Sequence, residues 1–202
     1  LTKKNDYNLL ILVPSAIRMI LNLIKSENDI KLDKSTLISA GEPLDSSLAQ
    51  DILNYKIKDF YNVYGATEVA PWILFIDVYK YMNEFQSESY PIIPVGNTLP
   101  NVNCLLTDES ELVVSSKNVF SGYLNDKNNS IFTYIEDKKY YKTGDRFRIN
   151  KGLFFCEGRI NGAIKLSGHF VNPVLIEAYV KAKLNLFDVL VLADINKSLI
   201  HI

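Results

Sequence analysis

Phe60-Tyr61-Asn62-Val63-Tyr64-Gly65-Ala66-Thr67-Glu68 is the stretch on which the reading of this chain turns. Phe60 to Tyr64 predicts a strand, Gly65 ends it, and a hydroxyl and a carboxylate follow at once. Such an ending sets the aromatic face of Tyr64, the free backbone of Gly65, Thr67 and Glu68 at the carboxyl edge of a sheet. That edge is where open α/β sheets bind ligands. A nucleotide with a metal could use all four, by stacking on Tyr64, by a phosphate at Thr67 and by Mg²⁺ at Glu68. An ordinary strand-to-loop turn with a solvated glutamate uses the same residues, so the stretch alone leaves both readings open.

Upstream, the pattern alternates strands with helices. Asn8 to Val13 is a short apolar run, and Pro14 follows where a first helical turn tolerates a missing N–H. Ile17, Ile20, Leu21 and Ile24 then recur at helical spacing, predicting a helix over 14–25. Thr36 to Ser39 predicts a strand, punctuated by Gly41, and Asp45 is a candidate N-cap for a helix carrying Leu48, Ile52 and Leu53. This rhythm predicts an α/β layer with a parallel sheet. From Pro91 onward, short strands predominate: 102–107, 111–114, 146–149 and 153–156, the last two joined by an Asn150-Lys151-Gly152 turn. Gly158 to Gly168 predicts a hinge or tight turn. A helix over 173–182 and a strand over 187–193 follow.

The chain's 202 residues suffice for one domain and part of another. With 22 basic against 23 acidic residues, the net charge of −1 carries no footprint for nucleic acid or an anionic membrane. Two cysteines, Cys104 and Cys156, make no disulfide framework, and two histidines make a histidine-rich metal site unexpected. Leu9 to Val13 is too short for a signal core or a span, so the expected location is the cytoplasm and no membrane partner is expected.

Two further segments carry chemistry. Tyr140-Tyr141-Lys142-Thr143-Gly144-Asp145 places an aspartate after a glycine turn, suited to accept hydrogen bonds from two neighbouring hydroxyls, as on a ribose, or simply to start the next strand. Gly158-Arg159-Ile160-Asn161-Gly162 then offers Arg159 to hydroxyl or phosphate oxygens, or to solvent. Tyr-Gly-x-Thr-Glu, Tyr-Lys-Thr-Gly-Asp and Gly-Arg in this order resemble the adenylate-forming enzyme superfamily. Its spelling is nearest the amino-acid adenylation domains of nonribosomal peptide synthetases and the D-alanine–carrier protein ligases. Ser39-Ala40-Gly41-Glu42-Pro43-Leu44 and Glu111-Leu112-Val113-Val114 through Gly122-Tyr123-Leu124 resemble two more of its elements.

The resemblance implies the later part of a large N-terminal domain over 1–157, with an α/β layer at 1–90 and a small β-barrel unit at 91–157. Residues 158–202 would be the hinge and the beginning of an α+β C-terminal lobe. It implies ATP and Mg²⁺ as cofactors, an amino acid or other carboxylic acid as substrate, and phosphopantetheine on a carrier protein, or coenzyme A, as acceptor. Tyr64 and Gly65 would lie on adenine, with Asn62 at its exocyclic amine and Gly41 and Glu42 along the adenine and acyl wall. Thr67 would meet the α-phosphate, Glu68 would hold Mg²⁺, and Asp145 and Arg159 would lie at the ribose. Ser39, Val63, Pro71 and Trp72 would line the acyl pocket, with Asn161 as the hinge and Lys165 to Gly168 near the pantetheine arm.

Departures from the family pattern are equally specific. The chain has no Ser/Thr/Gly-rich phosphate loop followed by Lys-Gly, and no C-terminal Gly-Lys element. Asn161 stands at a hinge position usually held by Asp or Lys, and Phe170-Val171-Asn172 replaces a common Arg-Ile-Glu. The resemblance therefore implies part of a protein of about twice this size or more, inactive on its own. An acyl- or aryl-CoA synthetase and a non-catalytic binding module of the same family are the alternative readings.

Overall fold

The computed structural model describes residues 8–26, 32–85, 90–124, 129–162, 164–166, 169–184, 186, 188–194 and 199–201. Its first layer alternates β1 (Leu9–Leu12), α1 (Pro14–Ser26), β2 (Thr36–Ser39), α2 (Ser46–Leu53) and β3 (Asp59–Ala66). The three strands pair in parallel, Leu9 against Thr36 and Thr36 against Asp59. The helical spacing of Ile17, Leu21 and Ile24 turns one face of α1 inward, onto Leu48, Ala49 and Ile52 of α2 and onto Leu37 and Phe60. Asp45 caps α2 as expected, its Oδ1 accepting from the Leu48 N–H at 2.8 Å, and its Oδ2 accepts from Arg18 of α1 at 2.6 Å. One buried carboxylate thus caps one helix and clamps the other.

The layer is parallel only in part. β4 (Ala70–Asp77) runs antiparallel to β3, and β5 (Asn97–Thr98) antiparallel to β4, giving the order β1-β2-β3-β4-β5. The chain leaves β3 at Ala66 and re-enters at Ala70, a connection far too short for the crossover that a parallel neighbour needs. A third helix, α3 (Val78–Glu84), follows β4, capped by Asp77.

The second unit is antiparallel throughout: β6 (Asn103–Leu106), β7 (Glu111–Ser115), β8 (Phe132–Ile135), β9 (Lys138–Asn150) and β10 (Leu153–Arg159). Its described strands form an open path, β10-β9-β7-β6 with β8 on β9, rather than a closed barrel. The expected turn at 150–152 is present, with Lys151 and Gly152 both at positive φ (49° and 78°), the pattern of a type I′ hairpin. Strand 146–149 is corrected to the 13-residue β9, which begins at Lys138. Val69, Ile73 and Leu74 pack with Leu112, Val114, Phe147 and Phe154, so the two sheets share a core.

Beyond Arg159, a 3-10 turn (Ile160–Gly162) precedes β11 (Ile164–Leu166), β12 (His169–Val171), α4 (Pro173–Leu184), β13 (Leu192–Asp194) and β14 (Leu199–His201). The loop expected over Lys165 to Gly168 is corrected in part: Lys165 and Leu166 are strand, paired with Phe170 and His169. Ser167 and Gly168 lie outside the described residues, as does Phe187 of the expected strand 187–193, which shortens to Leu192–Asp194. Ala178 of α4 packs with Ile92 and Phe155, and Asn172 ties the helix start to the sheet. Its Oδ1 accepts from the Val174 N–H at 3.0 Å, and its Nδ2 donates to the Glu157 carbonyl at 2.7 Å.

Candidate nucleotide site

The carboxyl ends of β2 and β3 open onto a cavity of about 430 Å³, within the size range of small-molecule sites. Gly41, Glu42, Asn62, Val63, Tyr64, Gly65, Thr67 and Glu68 line one side, and Asp145, Cys156, Gly158 and Arg159 the other. Segments separated by about eighty positions in the chain thus converge, and every residue expected at a nucleotide is among them. Ser39, Pro71 and Trp72, expected at an acyl pocket, are not among the described residues that line it. Ser39 is fully buried, whereas Pro71 is exposed on β4. Asn161 lies exposed in the 3-10 turn after β10.

Gly65 is required by packing as much as by any ligand. A Cβ there would lie 2.1 Å from the Pro71 carbonyl oxygen, so only glycine lets β3 pass β4 at the register shift between Tyr64 and Ala66. The turn after it is pinned by Val69, fully buried, whose N–H donates to the Ala66 carbonyl at 3.0 Å. Thr67 is left exposed and Glu68 half-buried.

Asp145 does not follow a turn at the start of a strand. It lies inside β9, one residue after Gly144 (φ 71°), where the β7–β9 pairing shifts register. This is a β-bulge, a feature that re-aims a side chain. The bulge is held from below: Thr143 Oγ1 donates to the Leu112 carbonyl at 2.8 Å, and Glu111 accepts from the Gly144 N–H at 2.9 Å. The Asp145 carboxylate then accepts from the Tyr64 hydroxyl at 2.5 Å and pairs with Arg159 Nε at 3.2 Å. Arg159 Nη1 donates to the Thr143 carbonyl at 3.0 Å. Burial pushes the Asp145 carboxyl above the usual aspartate value, while Tyr64 and Arg159 pull it back. Burial, and then Asp145, raise the Tyr64 phenol far above its ordinary value.

Asn62 is buried, with Nδ2 donating to the Pro94 carbonyl at 3.0 Å and Oδ1 left without a partner. An orphaned acceptor on a cavity wall is costly unless a ligand donor meets it. Glu42 has a second task beside lining the cavity. Its carboxylate accepts from the Ser15 N–H at 3.0 Å and from Ser15 Oγ at 2.9 Å, satisfying the start of α1. Cys156 is inert, its thiol pushed up to about 12 by burial, as is that of Cys104.

Sequence reasoning missed Ile93 and Val95, which line the same cavity. They lie in Tyr90-Pro91-Ile92-Ile93-Pro94-Val95-Gly96, an apolar run between prolines with no strand alternation; the prolines were its only signal. Among the described residues, no group of three or more His, Cys, Asp or Glu gathers as a metal site, and no helix is long and apolar enough to cross a membrane.

Fold and cavity together define a mixed α/β unit with a small-molecule-sized cavity at the carboxyl edge of its sheet. The sequence pattern of the AMP-binding enzyme family matches residues 1–124, and the chain belongs to that family. A D-alanine–D-alanyl carrier protein ligase of Staphylococcus aureus (strain Newman) is 30% identical over 177 residues. The match covers 86% of this chain and 36% of that protein, so the chain spans about a third of the curated relatives it matches. An anthranilate CoA ligase in complex with anthranoyl-AMP superposes with a TM-score of 0.76 at 17% identity, over 96% of this chain and 38% of that one. A four-domain nonribosomal peptide synthetase bound to AMP and glycine gives 0.73 at 24% identity, over 92% and 14%. These likenesses establish the mixed α/β fold of adenylate-forming enzymes.

Proposed function

We propose that this chain supplies the nucleoside-binding part of an ATP-dependent ligase. That ligase activates an amino acid as an acyl-adenylate and passes it to the phosphopantetheine thiol of a carrier protein. The observation that carries the reading is the convergence of Tyr64, Asn62, Asp145 and Arg159 on one cavity, with an orphaned amide oxygen and a carboxylate already aimed by a bulge. The carrier-protein ligase relative supports an amino acid as substrate and a carrier as acceptor.

In this reading the Asp145 oxygens accept from the two ribose hydroxyls. Each already carries one partner and has a second lone pair to offer. The Tyr64 ring, held by its hydroxyl and edge-on to Phe147 at 4.8 Å, lies against adenine, and Asn62 Oδ1 accepts from the exocyclic amine. Gly41 and Glu42 flank the base, Gly65 lets the backbone approach, and Thr67 offers a hydroxyl to the α-phosphate. Val63 borders the acyl end. Glu68 is a single carboxylate at the cavity edge, a donor set that suits Mg²⁺, which keeps waters and takes substrate phosphates as further ligands. Mg²⁺ held at Glu68 would supply charge neutralisation on the phosphates; in the step itself the acid's carboxylate oxygen attacks the α-phosphorus and pyrophosphate leaves. Residues 158–202, with Asn161 as pivot, begin the lobe that brings the carrier thiol to the mixed anhydride, and cytoplasmic action fits this chemistry.

Calorimetric titration of the chain with AMP and with aminoacyl, aryl and fatty acyl sulfamoyl-adenosines tests the reading. Aminoacyl compounds are expected to bind tightest. A preference for aryl compounds would favour an aryl-CoA synthetase, and no binding by the folded chain overturns the nucleotide site. The 202 residues alone are expected to give no amino-acid-dependent pyrophosphate exchange, because they contain no glycine-rich phosphate loop.

A further inference from the structure

The Gly122-Tyr123-Leu124 element plays no part in the chemistry above, yet it meets the site at Glu68. The Tyr123 hydroxyl donates to Glu68 Oε1 at 2.6 Å, although Tyr123 is 48% exposed. The backbone docks in parallel, since the Phe120 N–H donates to the Glu68 carbonyl at 2.8 Å. Behind Tyr123, the Phe120 ring packs edge-on at 4.9 Å and packs in turn on Tyr141 at 5.5 Å. The Tyr141 hydroxyl also bonds to Tyr123. Two phenols in series, Tyr141 on β9 and Tyr123 on the segment after β7, thus end on one oxygen of a carboxylate carried by the turn between β3 and β4.

A glutamate on a short exposed turn has several rotamers, and holding it in one costs side-chain entropy. The phenol opposes that cost from a partner fixed by aromatic packing. We infer that Tyr123 is a positioning residue that holds the Glu68 carboxylate in place for a divalent cation bound with nucleotide phosphates, with Tyr141 supporting it. The inference rests on the nucleotide reading. One Glu68 oxygen carries the phenol, leaving the other to face the cation, and the hydrogen bond restrains the carboxylate without neutralising it. Tyr123 does not touch the nucleotide, so its effect falls on cation affinity alone.

The test measures ATP binding to the chain by calorimetry, with Mg²⁺ and with EDTA, for the unaltered protein, Tyr123→Phe, Glu68→Gln and the double variant. Mg²⁺ is expected to tighten ATP binding to the unaltered chain. Tyr123→Phe is expected to cut that enhancement about three- to tenfold, the range for one hydrogen bond to a partly exposed charge. Affinity in EDTA should stay unchanged. Glu68→Gln removes the enhancement, and adding Tyr123→Phe to it changes nothing further. Tyr141→Phe, expected to show a smaller loss of the same sign, keeps the test decisive if Tyr123→Phe melts early. Full enhancement in both tyrosine variants overturns the inference while leaving the nucleotide site intact. An unaltered chain that binds no ATP overturns both.

Discussion

The two ends of the cavity are built differently. At the end proposed for the ribose, Asp145 is largely buried and sits on a bulge whose neighbours, Thr143 and Gly144, are each tied to β7. Its carboxylate is met by Tyr64 and Arg159 before any ligand arrives. At the end proposed for the phosphates, Thr67 is exposed, and the Glu68 carboxylate is held by one exposed phenol. The first end is preorganised, so that little ordering cost remains at binding. The second end leaves Thr67 in water and Glu68 half-buried, where contacts are weaker and more salt-sensitive. The difference suits a nucleotide whose nucleoside part is constant and whose phosphates change during reaction.

Gly65 lies where the two ends meet, and its replacement gives the largest expected effect. Gly65→Ala puts a methyl group 2.1 Å from the Pro71 carbonyl oxygen, and backbone cannot step aside as a flexible side chain can. A loss of about 3 kcal/mol or more is expected in urea melts. A loss below about 1 kcal/mol would mean that β3 and β4 can part freely, and the ribose end would then not be rigid.

Asp145→Ala should come next, with nucleotide affinity down by about tenfold to a hundredfold, as expected from losing hydrogen bonds to a charged acceptor. Asp145→Asn sharpens the comparison through pH. The folded protein raises the Asp145 pKa, so the native state binds that proton more tightly than the unfolded chain. The resulting stability is present at pH below the ordinary aspartate value and is lost as pH rises through the raised one. Urea melts from pH 3 to 7 should therefore show wild type losing stability relative to Asp145→Asn as pH rises. The opposite slope would mean that Tyr64 and Arg159 outweigh burial.

Much of this was legible because polar residues in apolar surroundings, or turn residues, mark it. Asp45, Pro14 and the Lys151-Gly152 turn identify their own places by capping or φ chemistry. The site motifs were legible as chemistry, but not always as geometry. Asp145 read as following a turn because Gly144 looks like one, and only pairing with β7 makes it a bulge within a long strand. β4 was hidden by Pro71, which argues against a strand until its neighbours are known. The Tyr123–Glu68 contact spans 55 positions and follows no period, so only the fold reveals it.

The smallest effect belongs to Glu42, and it probes the softer side of the comparison. Its carboxylate satisfies the Ser15 N–H and hydroxyl at the first turn of α1, yet the residue is exposed. A carboxylate at an exposed helix start contributes about 0.3–1 kcal/mol at low ionic strength, through the unpaired N–H groups there. Glu42→Gln should cost no more than that, and the cost should shrink as salt is raised from 0.05 to 0.5 M. The amide oxygen can still accept from Ser15, so what the substitution removes is charge. A cost above about 2 kcal/mol, unmoved by salt, would require a carboxylate drawn out of water, as Asp45 is. The contrast between a buried, fixed end and a solvated, adjustable one would then fail at the wall where they join.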